Sequence, residues 1–333
     1  MRQIVFTEEN KAVIREIEKA EPKANEVSVR MRYTAISAGT ERANLVGGKN
    51  VSGGQAYPRQ LGYSGSGYVE KVGEGVTDLK PGDRVITVWG KHMEVNTLPR
   101  ENVLKIDSDD IPMEEAAFIL IASFSLAAVR KLRPEIGESG IVAGLGLLGL
   151  FSVQFMRIAG MYPVIAVDMN EERRLLALKL GADYVFDPTD EDYKKKILAI
   201  TGAGPDAAVE VTGNGAALNQ TLKILKPFGR ISLLGCTRTP TEVDFYKDVH
   251  MRGITMIGAH TIARAQTESR PGFWTLNDDL ISILKLMKAG RIHFKDIIHE
   301  IHSPLEAENV YDRLANDRNF PVGVVFDWDK IRV

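Results

Sequence analysis

The sequence is nearly without cysteine, and this scarcity limits what the protein can be. Its 333 residues include one cysteine, Cys236, so no disulfide can form within the chain. A zinc site built from two or more thiolates of one chain is excluded for the same reason. A single thiol suits a reducing compartment, and we expect a cytoplasmic protein.

An excess of charge and a long apolar run are also missing. Lys and Arg number 42 against 44 Asp and Glu, which gives a net charge of −2 and argues against binding nucleic acid or membrane surfaces through bulk charge. No apolar run approaches the length of a membrane span, and the first ten residues carry charges where a signal peptide needs a hydrophobic segment. We therefore expect neither a nucleic acid nor a membrane as partner.

The most informative stretch covers residues 141–168. A short apolar run enters a glycine turn, a segment of helical period follows to about Gly160, and a second apolar run ends in Asp168. Glycines at the first, third and sixth positions of the turn permit its tight bend, the approach of backbone N–H groups to a pyrophosphate, and close packing of helix on strand. The acid about twenty residues later can accept hydrogen bonds from a ribose. The turn residues predicted to bind a dinucleotide are Gly144, Gly146, Leu147, Leu148 and Gly149.

From Gly140 onward, strand-like and helical segments alternate. Six strands are predicted at residues 141–143, 163–168, 183–187, 206–212, 230–235 and 254–260, with a loop-like stretch around Pro240 before the sixth. This pattern predicts an α/β fold with a six-stranded doubly wound (Rossmann) dinucleotide-binding domain. Open sheets of this kind bind ligands at the carboxyl ends of their strands, so four residues at the ends of the fourth and fifth strands should line the nicotinamide half of the groove. These are Thr212, Gly213, Gly235 and Cys236.

The first third of the chain is predicted to be β-rich, with short strands at 27–33, 65–71 and 84–89 separated by turns. A helical period from Glu114 to Leu132 marks the boundary between domains. After residue 260, two helical segments and a terminal strand have no core of their own and should return to the first domain. We therefore expect a substrate domain of residues 1–122 and 261–333 and a dinucleotide-binding domain of residues 123–260.

At this point the chain resembles the medium-chain dehydrogenase/reductase superfamily, that of the zinc alcohol dehydrogenases and quinone reductases. The resemblance is carried by LGYSGSGYVEKVGEGVTDLKPGDRV, EEAAFILIASFSLAAV, the GLGLLG turn and LGADYVFDP. It implies that the β-rich part is a GroES-like substrate domain. Relatives often pair through the edge of the dinucleotide sheet, so a homodimer or homotetramer is expected.

Departures from the family pattern concern the catalytic zinc. Zinc members have a cysteine where this chain has Ala38, a histidine where it has Tyr63, and a third ligand where it has Ala122. The cysteine-rich lobe that holds a structural zinc in relatives is absent as well. Because thiolate and imidazole are the groups that form zinc sites, we expect an enzyme that contains no zinc.

Two hydroxyl residues could replace the metal. Thr40 matches the family residue that relays protons, although a turn threonine bonded to its own backbone is the alternative. Tyr63 could present its phenol to a substrate oxygen, or it could be a half-buried aromatic that fills the space vacated by the metal. Glu41 replaces a family aspartate that makes a structural pair with an arginine, and we favour the same structural role for Glu41.

Two histidines are candidates for the reaction site. His260 ends the sixth strand and is predicted to contact substrate or transfer a proton. His92 lies in a loop that enters the cleft in relatives and is predicted to contact substrate. His299 and His302 are interpreted as structural residues of the returning segment.

The branch of the family can be narrowed further. Residues 36–42, Trp274 and residues 290–292 resemble sugar or polyol dehydrogenases and hydroxyethyl-bacteriochlorophyllide dehydrogenases. The first hypothesis is therefore interconversion of a secondary alcohol and a ketone with NAD, on a small-molecule substrate. The second is an NAD(P)H-dependent enone or quinone reductase, whose chemistry needs no metal. The third is a cofactor-binding protein without turnover, which an entirely apolar cleft would support. The predicted polar set of Thr40, Tyr63, His92 and His260 speaks against the third.

Asp168 predicts a preference for NAD over NADP. The 2′-phosphate of NADP would face this carboxylate, and Met169 and Asn170 supply no positive charge. Two unit charges about 4 Å apart repel by roughly 4 kcal/mol at an effective dielectric of about 20. If solvent screening leaves about half of this repulsion, NAD should bind roughly thirtyfold more tightly than NADP. Arg173 or Arg174 would weaken it by swinging toward the phosphate. Titration with both coenzymes measures the preference, and equal dissociation constants would show that Asp168 does not face the ribose.

Overall fold

The computed structural model describes residues 1–51 and 56–331, and its contacts divide the chain into two compact units. The first unit comprises Met1–Ile121 with Leu284–Val333, and the second is Ala122–Ile283. Residues 261–283, which the sequence analysis assigns to the substrate domain, thus belong to the second unit. One reason is that the buried Asp279 pairs there with Arg130, at 2.9 Å from its Nε.

The first unit begins with strands and two short helices. Helix α1 (Ala38–Leu45) follows the third strand, and α2 (Met113–Ala116) precedes α3 (Ile119–Leu132). The sequence predicts one helix over 114–132, whereas the structure interrupts it at Ala117, whose carbonyl accepts a hydrogen bond from the Ser64 hydroxyl. The strands are β1 (Arg2–Glu8), β2 (Lys11–Glu16), β3 (Glu26–Ala35), β4 (Ser64–Val72), β5 (Arg84–Val88), β6 (Val95–Pro99) and β7 (Val103–Lys105).

The second unit is built on a parallel six-stranded sheet. Its strands are β8 (Gly140–Ala143), β9 (Val164–Val167), β10 (Tyr184–Phe186), β11 (Ala207–Glu210), β12 (Arg230–Leu233) and β13 (Thr255–Gly258), in the order β10-β9-β8-β11-β12-β13. Every residue of β8, β9 and β11 is buried, as is typical of parallel strands covered on both faces. The sheet confirms the predicted six-stranded doubly wound fold.

Helices lie between these strands and after β13, and some of them begin at a side-chain cap. They are α4 (Leu147–Ile158), α5 (Glu171–Lys179), α6 (Tyr193–Thr201), α7 (Gly215–Ile224) and α8 (Leu276–Lys288). The Asn170 and Asn214 side chains accept hydrogen bonds from the first-turn amides of α5 and α7. Between β12 and β13, where the sequence predicts only a loop, the structure also forms a π-helix over Phe245–His250, whose first turn is capped by Asp244.

The C-terminal residues complete the sheet of the first unit. Strands β14 (Ile298–His302) and β15 (Gly323–Asp327) flank α9 (Ala307–Asn316), and the sheet has the order β14-β15-β3-β4-β5-β7, with β6 paired to β3. β15 runs antiparallel to β3, and β1 with β2 forms a separate ribbon. The core of this unit holds the fully buried rings of Phe6, Tyr311, Phe326 and Trp328. This β-rich unit confirms the second part of the predicted fold class.

Across residues 1–51 and 56–331, every helix is too short or too polar to cross a lipid bilayer.

An ion pair in the returning segment predicts pH-dependent stability. The Arg313 guanidinium binds both Glu300 oxygens at 2.9 Å, and His302 Nε2 lies 2.7 Å from one of them. These bonds, led by that of Arg313, lower the pKa of Glu300 from 4.5 to about 2. Because the folded-state pKa lies below the unfolded value, the stabilisation is complete above pH 4.5 and is lost as the pH falls toward 2.

We expect Glu300→Gln to lower the free energy of unfolding by about 1–2 kcal/mol at pH 7, a discounted value because the carboxylate is partly exposed. The difference should shrink as the pH falls from 4.5 toward 3. Urea unfolding of both proteins at several pH values measures it. A difference that stays constant with pH would contradict the assigned pKa.

Candidate functional site

The sheet-edge site, defined as the residues that directly follow the strands of the second unit, gathers most of the predicted cofactor set. Gly144 follows β8, Asp168 follows β9, and Thr212 lies two residues past β11. Gly235 and Cys236 follow β12, and His260 lies two residues past β13. Since all six strands are parallel, these residues share one edge of the sheet.

The three glycines of the turn meet different constraints. Gly144 has a left-handed backbone (φ 94°), and a Cβ there would lie 2.8 Å from Thr212 Cγ2. A Cβ on Gly149 would lie 1.9 Å from the Gly144 carbonyl oxygen, so only glycine permits this packing of α4 on β8. Around Gly146 there is no atom of the described residues within 4 Å of a built Cβ. Gly146 is therefore the position of the turn that is open to a ligand.

Helix α4 starts at this open position. Leu147 and Leu148 form its first turn, with Gly146 as N-cap and with no acidic residue in that turn. The uncapped amides and the helix dipole make this end electropositive, which suits a pyrophosphate. The Leu148 carbonyl accepts hydrogen bonds from the hydroxyls of Ser125, at 2.7 Å, and Ser152, at 2.8 Å, which fix the first turn from two sides.

Asp168 is held beside the glycine turn. Its Oδ2 accepts a hydrogen bond from the Leu145 amide at 2.7 Å, and its Oδ1 accepts one from Asn170 at 2.8 Å. Each oxygen has a further lone pair for a ribose hydroxyl. The Arg174 guanidinium donates to the Asp168 and Met169 carbonyls and to the Asp187 carboxylate. Arg174 must break these bonds before it can meet a 2′-phosphate.

Sequence reasoning missed Glu210, a buried carboxyl group at the end of β11. It accepts hydrogen bonds from the Thr212 amide at 2.7 Å, from the Thr212 hydroxyl, and from the Gly213 amide at 3.3 Å. Burial raises its pKa, while the bonds from Thr212 and Gly213 lower it. Glu210 thus shapes the loop that carries two predicted cofactor residues. The signal in the sequence was a charged residue that ends an otherwise apolar strand.

The same loop is in close backbone contact with the residues after β12. Gly213 is left-handed (φ 62°), and a Cβ there would lie 2.5 Å from the Cys236 carbonyl oxygen. A Cβ on Gly235 would lie 2.4 Å from the Gly213 amide nitrogen. The Cys236 side chain is exposed. Both glycines are required where these two loops touch, and the predicted residues are therefore neighbours.

His260 also lies at this edge, with an exposed side chain whose Nδ1 accepts a long hydrogen bond from the Ile262 amide, at 3.4 Å. The loop that carries it is tied to α3 by the buried Lys131. The Nζ of Lys131 donates to the Gly258 carbonyl at 2.7 Å and to the Ala263 carbonyl, on both sides of His260. Burial and the nearby Arg264 lower the Lys131 pKa.

The Tyr63 site, defined as Ser37, Thr40, Tyr63 and Trp89, lies in the first unit around the start of α1. The Tyr63 hydroxyl donates to Ser37 Oγ at 2.6 Å. Thr40 lies in the first turn of α1, where its carbonyl accepts a bond from Asn44; within residues 1–51 and 56–331 its hydroxyl makes no hydrogen bond. The site therefore presents two hydroxyl groups, one of them oriented by a serine that sequence reasoning missed.

Trp89 is a second residue that sequence reasoning missed. Its ring lies 5.6 Å from the Tyr63 ring and is tilted by 44°, and 44% of the residue is exposed. Its backbone is left-handed (φ 61°), a conformation that is strained for an aromatic residue, although Phe228 outside this site shares it (φ 63°). A tryptophan just after a strand carries no sequence signal for this geometry.

His92 is not placed as the sequence predicts. It is 1% exposed; its Nδ1 lies 2.7 Å from Thr34 Oγ1 and its Nε2 lies 3.2 Å from a Glu41 carboxylate oxygen. Both ring nitrogens are thus engaged by protein groups, so orientation of Glu41 fits His92 better than the predicted substrate contact. Glu41, for which the sequence favours a structural role, has His92 and Tyr311 as partners instead of the arginine that the resemblance implies.

Comparison with known proteins agrees with this architecture. Residues 23–105 match the family model of the alcohol dehydrogenase GroES-like domain, and residues 148–274 match that of the zinc-binding dehydrogenases. An L-threonine 3-dehydrogenase of Thermococcus kodakarensis is 31% identical over 274 residues, which cover 72% of this chain and 78% of the relative. A D-guloside 3-dehydrogenase of Shigella flexneri is 25% identical over 98% of this chain and 100% of its own.

Solved structures show the same fold. Galactitol-1-phosphate dehydrogenase from Escherichia coli superposes with a TM-score of 0.86 at 20% identity, covering 98% of this chain and 100% of that one. Two further structures contain coenzyme. An alcohol dehydrogenase from E. coli CFT073 holds NADH (TM-score 0.82, 20% identity, 98% of this chain and 99% of that one), and a Sinorhizobium meliloti 1021 dehydrogenase holds NADP (TM-score 0.83, 21% identity, 98% of each chain).

The two family models lie in sequence order on the two units, and the glycine turn with its following acid has the geometry of a dinucleotide site. The chain belongs to the medium-chain dehydrogenase/reductase superfamily and is an oxidoreductase of the alcohol dehydrogenase type.

Proposed function

We propose that this enzyme interconverts a secondary alcohol of sugar or polyol type and a ketone, with NAD as coenzyme and without a catalytic zinc. The observation that carries the proposal is the Tyr63–Ser37 hydroxyl pair beside the exposed Trp89 ring. The names of the relatives, among them a guloside dehydrogenase and a galactitol-1-phosphate dehydrogenase, support the substrate class.

The residues at the family's zinc positions do not fit the metal. Ala38 and Ala122 carry no donor atom, and the Tyr63 hydroxyl is bonded to Ser37. Within residues 1–51 and 56–331, no three His, Cys, Asp or Glu side chains are grouped as a metal site requires. The nearby His92 and Glu41 bind each other. No step of the proposed reaction is therefore assigned to zinc.

The sheet-edge site fits NAD. The open position at Gly146 and the amides of Leu147 and Leu148 would hold the pyrophosphate, with Gly144 and Gly149 forming the turn. Asp168 would accept the ribose hydroxyls, and its negative charge favours NAD over NADP. Thr212, Gly213, Gly235 and Cys236 would line the nicotinamide half. When bound there, NAD would supply the hydride acceptor for the carbinol carbon, and NADH the hydride donor for the ketone.

The Tyr63 site would form hydrogen bonds with the substrate oxygen. Because the Tyr63 proton points to Ser37 Oγ, the phenol oxygen can accept a hydrogen bond from a substrate hydroxyl. As the carbinol carbon loses hydride, the hydroxyl proton would pass by way of Tyr63 or Thr40 toward solvent. In ketone reduction the same phenol donates to the carbonyl oxygen. His260 is a second candidate for the proton transfer, and Trp89 offers a flat apolar face to the C–H side of a sugar.

Gly146 and Gly149 allow coenzyme binding to be tested separately from folding. A methyl group at Gly146 meets no protein atom but occupies the position proposed for the pyrophosphate, whereas one at Gly149 meets the Gly144 carbonyl. We expect Gly146→Ala to leave the melting temperature nearly unchanged and to raise the NADH dissociation constant about tenfold or more. Gly149→Ala should destabilise the fold. Fluorescence titration and thermal unfolding measure both, and unchanged NADH affinity of Gly146→Ala would contradict the assigned site.

The second test concerns Tyr63 and zinc. We expect Tyr63→Phe and Thr40→Ala each to reduce turnover at least about tenfold with little change in NAD affinity, because positioned proton-transfer groups typically contribute about 10²–10⁴-fold. Turnover is followed at the nicotinamide absorbance band against sugars, polyols, ketones and quinones. Chelator treatment should change nothing.

Tyr68→Phe is the matched control, because Tyr68 lies on β4, the strand that begins next to Tyr63, and its ring stacks with Arg30. Its turnover should equal that of the wild type. Stoichiometric zinc in the purified protein, or normal turnover of the Tyr63→Phe, Thr40→Ala double variant, would end this mechanism. Activity confined to enones or quinones would support the reductase alternative instead.

A further inference from the structure

The Glu41 carboxylate is fully buried, yet among the described residues no lysine or arginine pairs with it. Instead, the carboxylate oxygens accept hydrogen bonds from three donors. These are the Ser37 amide at 3.0 Å, the Tyr311 hydroxyl at 2.6 Å and His92 Nε2 at 3.2 Å. A buried carboxylate is costly unless donors of this kind satisfy it. The donors also leave the carboxylate no freedom to rotate.

The protonation state of His92 follows from its other partner. Trp328 Nε1, which can only donate, bonds Thr34 Oγ1 at 2.9 Å. The buried Thr34 hydroxyl needs an acceptor for its own proton, and His92 Nδ1 lies 2.7 Å away. Nδ1 is then an acceptor, so Nε2 carries the hydrogen and donates it to Glu41. The chain Trp328–Thr34–His92–Glu41 thus runs in one direction with a neutral imidazole.

This chain ends at the residue that orients Tyr63. Glu41 Oε1 binds the amide of Ser37, which directly precedes α1, and the side chain of the same Ser37 accepts the Tyr63 proton at 2.6 Å. A change in the Glu41 carboxylate therefore moves the Ser37 backbone, and with it the acceptor that sets the direction of the phenol.

We propose that Glu41 and His92 are positioning residues for the reaction, which act through Ser37 on the Tyr63 hydroxyl. This inference rests on the proposed function, in which that hydroxyl bonds the substrate oxygen. A glutamine at position 41 has one acceptor oxygen and one NH₂ group, so at least one of the three donors loses its acceptor. A glutamine at position 92 cannot serve both Thr34 and Glu41 with the geometry of an imidazole.

Steady-state kinetics of a double-mutant cycle test the connection. We expect Glu41→Gln and His92→Gln each to lower kcat about tenfold while the substrate KM and the NADH dissociation constant change less than about threefold. In the Tyr63→Phe background the same substitutions should change kcat less than about twofold, because the group they position is gone. Glu300→Gln is the matched control: it also removes a carboxylate bonded to a histidine, far along the chain from Tyr63, and its kcat should equal that of the wild type.

A spectroscopic measurement on the wild-type protein needs no variant to fold. Long-range ¹H–¹⁵N spectra of histidine-labelled protein at pH 7 should show His92 with a protonated Nε2 and an unprotonated Nδ1. A protonated Nδ1 would overturn the direction of the chain and the proposal with it.

The kinetic outcomes distinguish the positioning role of Glu41 and His92 from the role assigned to Tyr63. Equal losses of kcat in the wild-type and Tyr63→Phe backgrounds, or no loss in either, would overturn the positioning role alone. Normal turnover of Tyr63→Phe by itself would overturn the role assigned to the Tyr63 hydroxyl and, with it, this inference, whereas inactivity of the wild-type protein on every alcohol and ketone would overturn the proposed function.

Discussion

The close approach of two backbone segments, the end of β8 and the first turn of α4, is the constraint on which the second unit depends. With a Cβ of Gly149 only 1.9 Å from the Gly144 carbonyl oxygen, no other residue allows the helix to start where it does. The amide of Leu145 can then bind Asp168, and Thr212 can pack against Gly144. The surface proposed for the coenzyme is consequently made largely of backbone around Gly144, Gly146 and Gly149.

Buried carboxylates perform a related task in both units. Glu210 ends a strand and accepts the amides of Thr212 and Gly213, while Glu41 lies in a helix and accepts the amide of Ser37. In each case the carboxylate fixes the backbone that carries the residues assigned to binding or reaction. A carboxylate is suited to this role because its two oxygens accept several bonds at once, and their desolvation cost is offset only when all of these bonds form. Each arrangement is therefore all-or-none, which makes the loops rigid.

Features encoded locally could be predicted from the sequence, whereas those formed by distant residues could not. The six strands, the glycine turn and Asp168 follow from periodicity and spacing within a few dozen residues. His92 depends on Thr34 and Glu41, which lie 58 and 51 residues away, and Ser37 meets Tyr63 across 26 residues. The segment after Pro240 that forms the π-helix has no helical apolar period from which a helix could be predicted. The loop of His92 was assigned by resemblance, whereas the burial of His92 depends on packing against Tyr311 and Phe326, which its local sequence does not encode.

If the reaction proceeds without a Lewis acid, as proposed, the side chains must supply the stabilisation that a metal ion would give. One positioned phenol typically contributes about 10²–10⁴-fold, and its contribution depends on the geometry of the hydrogen bond. The remainder has to come from orientation, since a well-placed substrate recovers several kcal/mol of the barrier. In the proposed mechanism this orientation would come from the Trp89 ring beside Tyr63 and from Glu41 behind Ser37. Both restrict the direction of a hydroxyl group, and direction is the property that a hydrogen bond, unlike a metal ion, depends on most strongly.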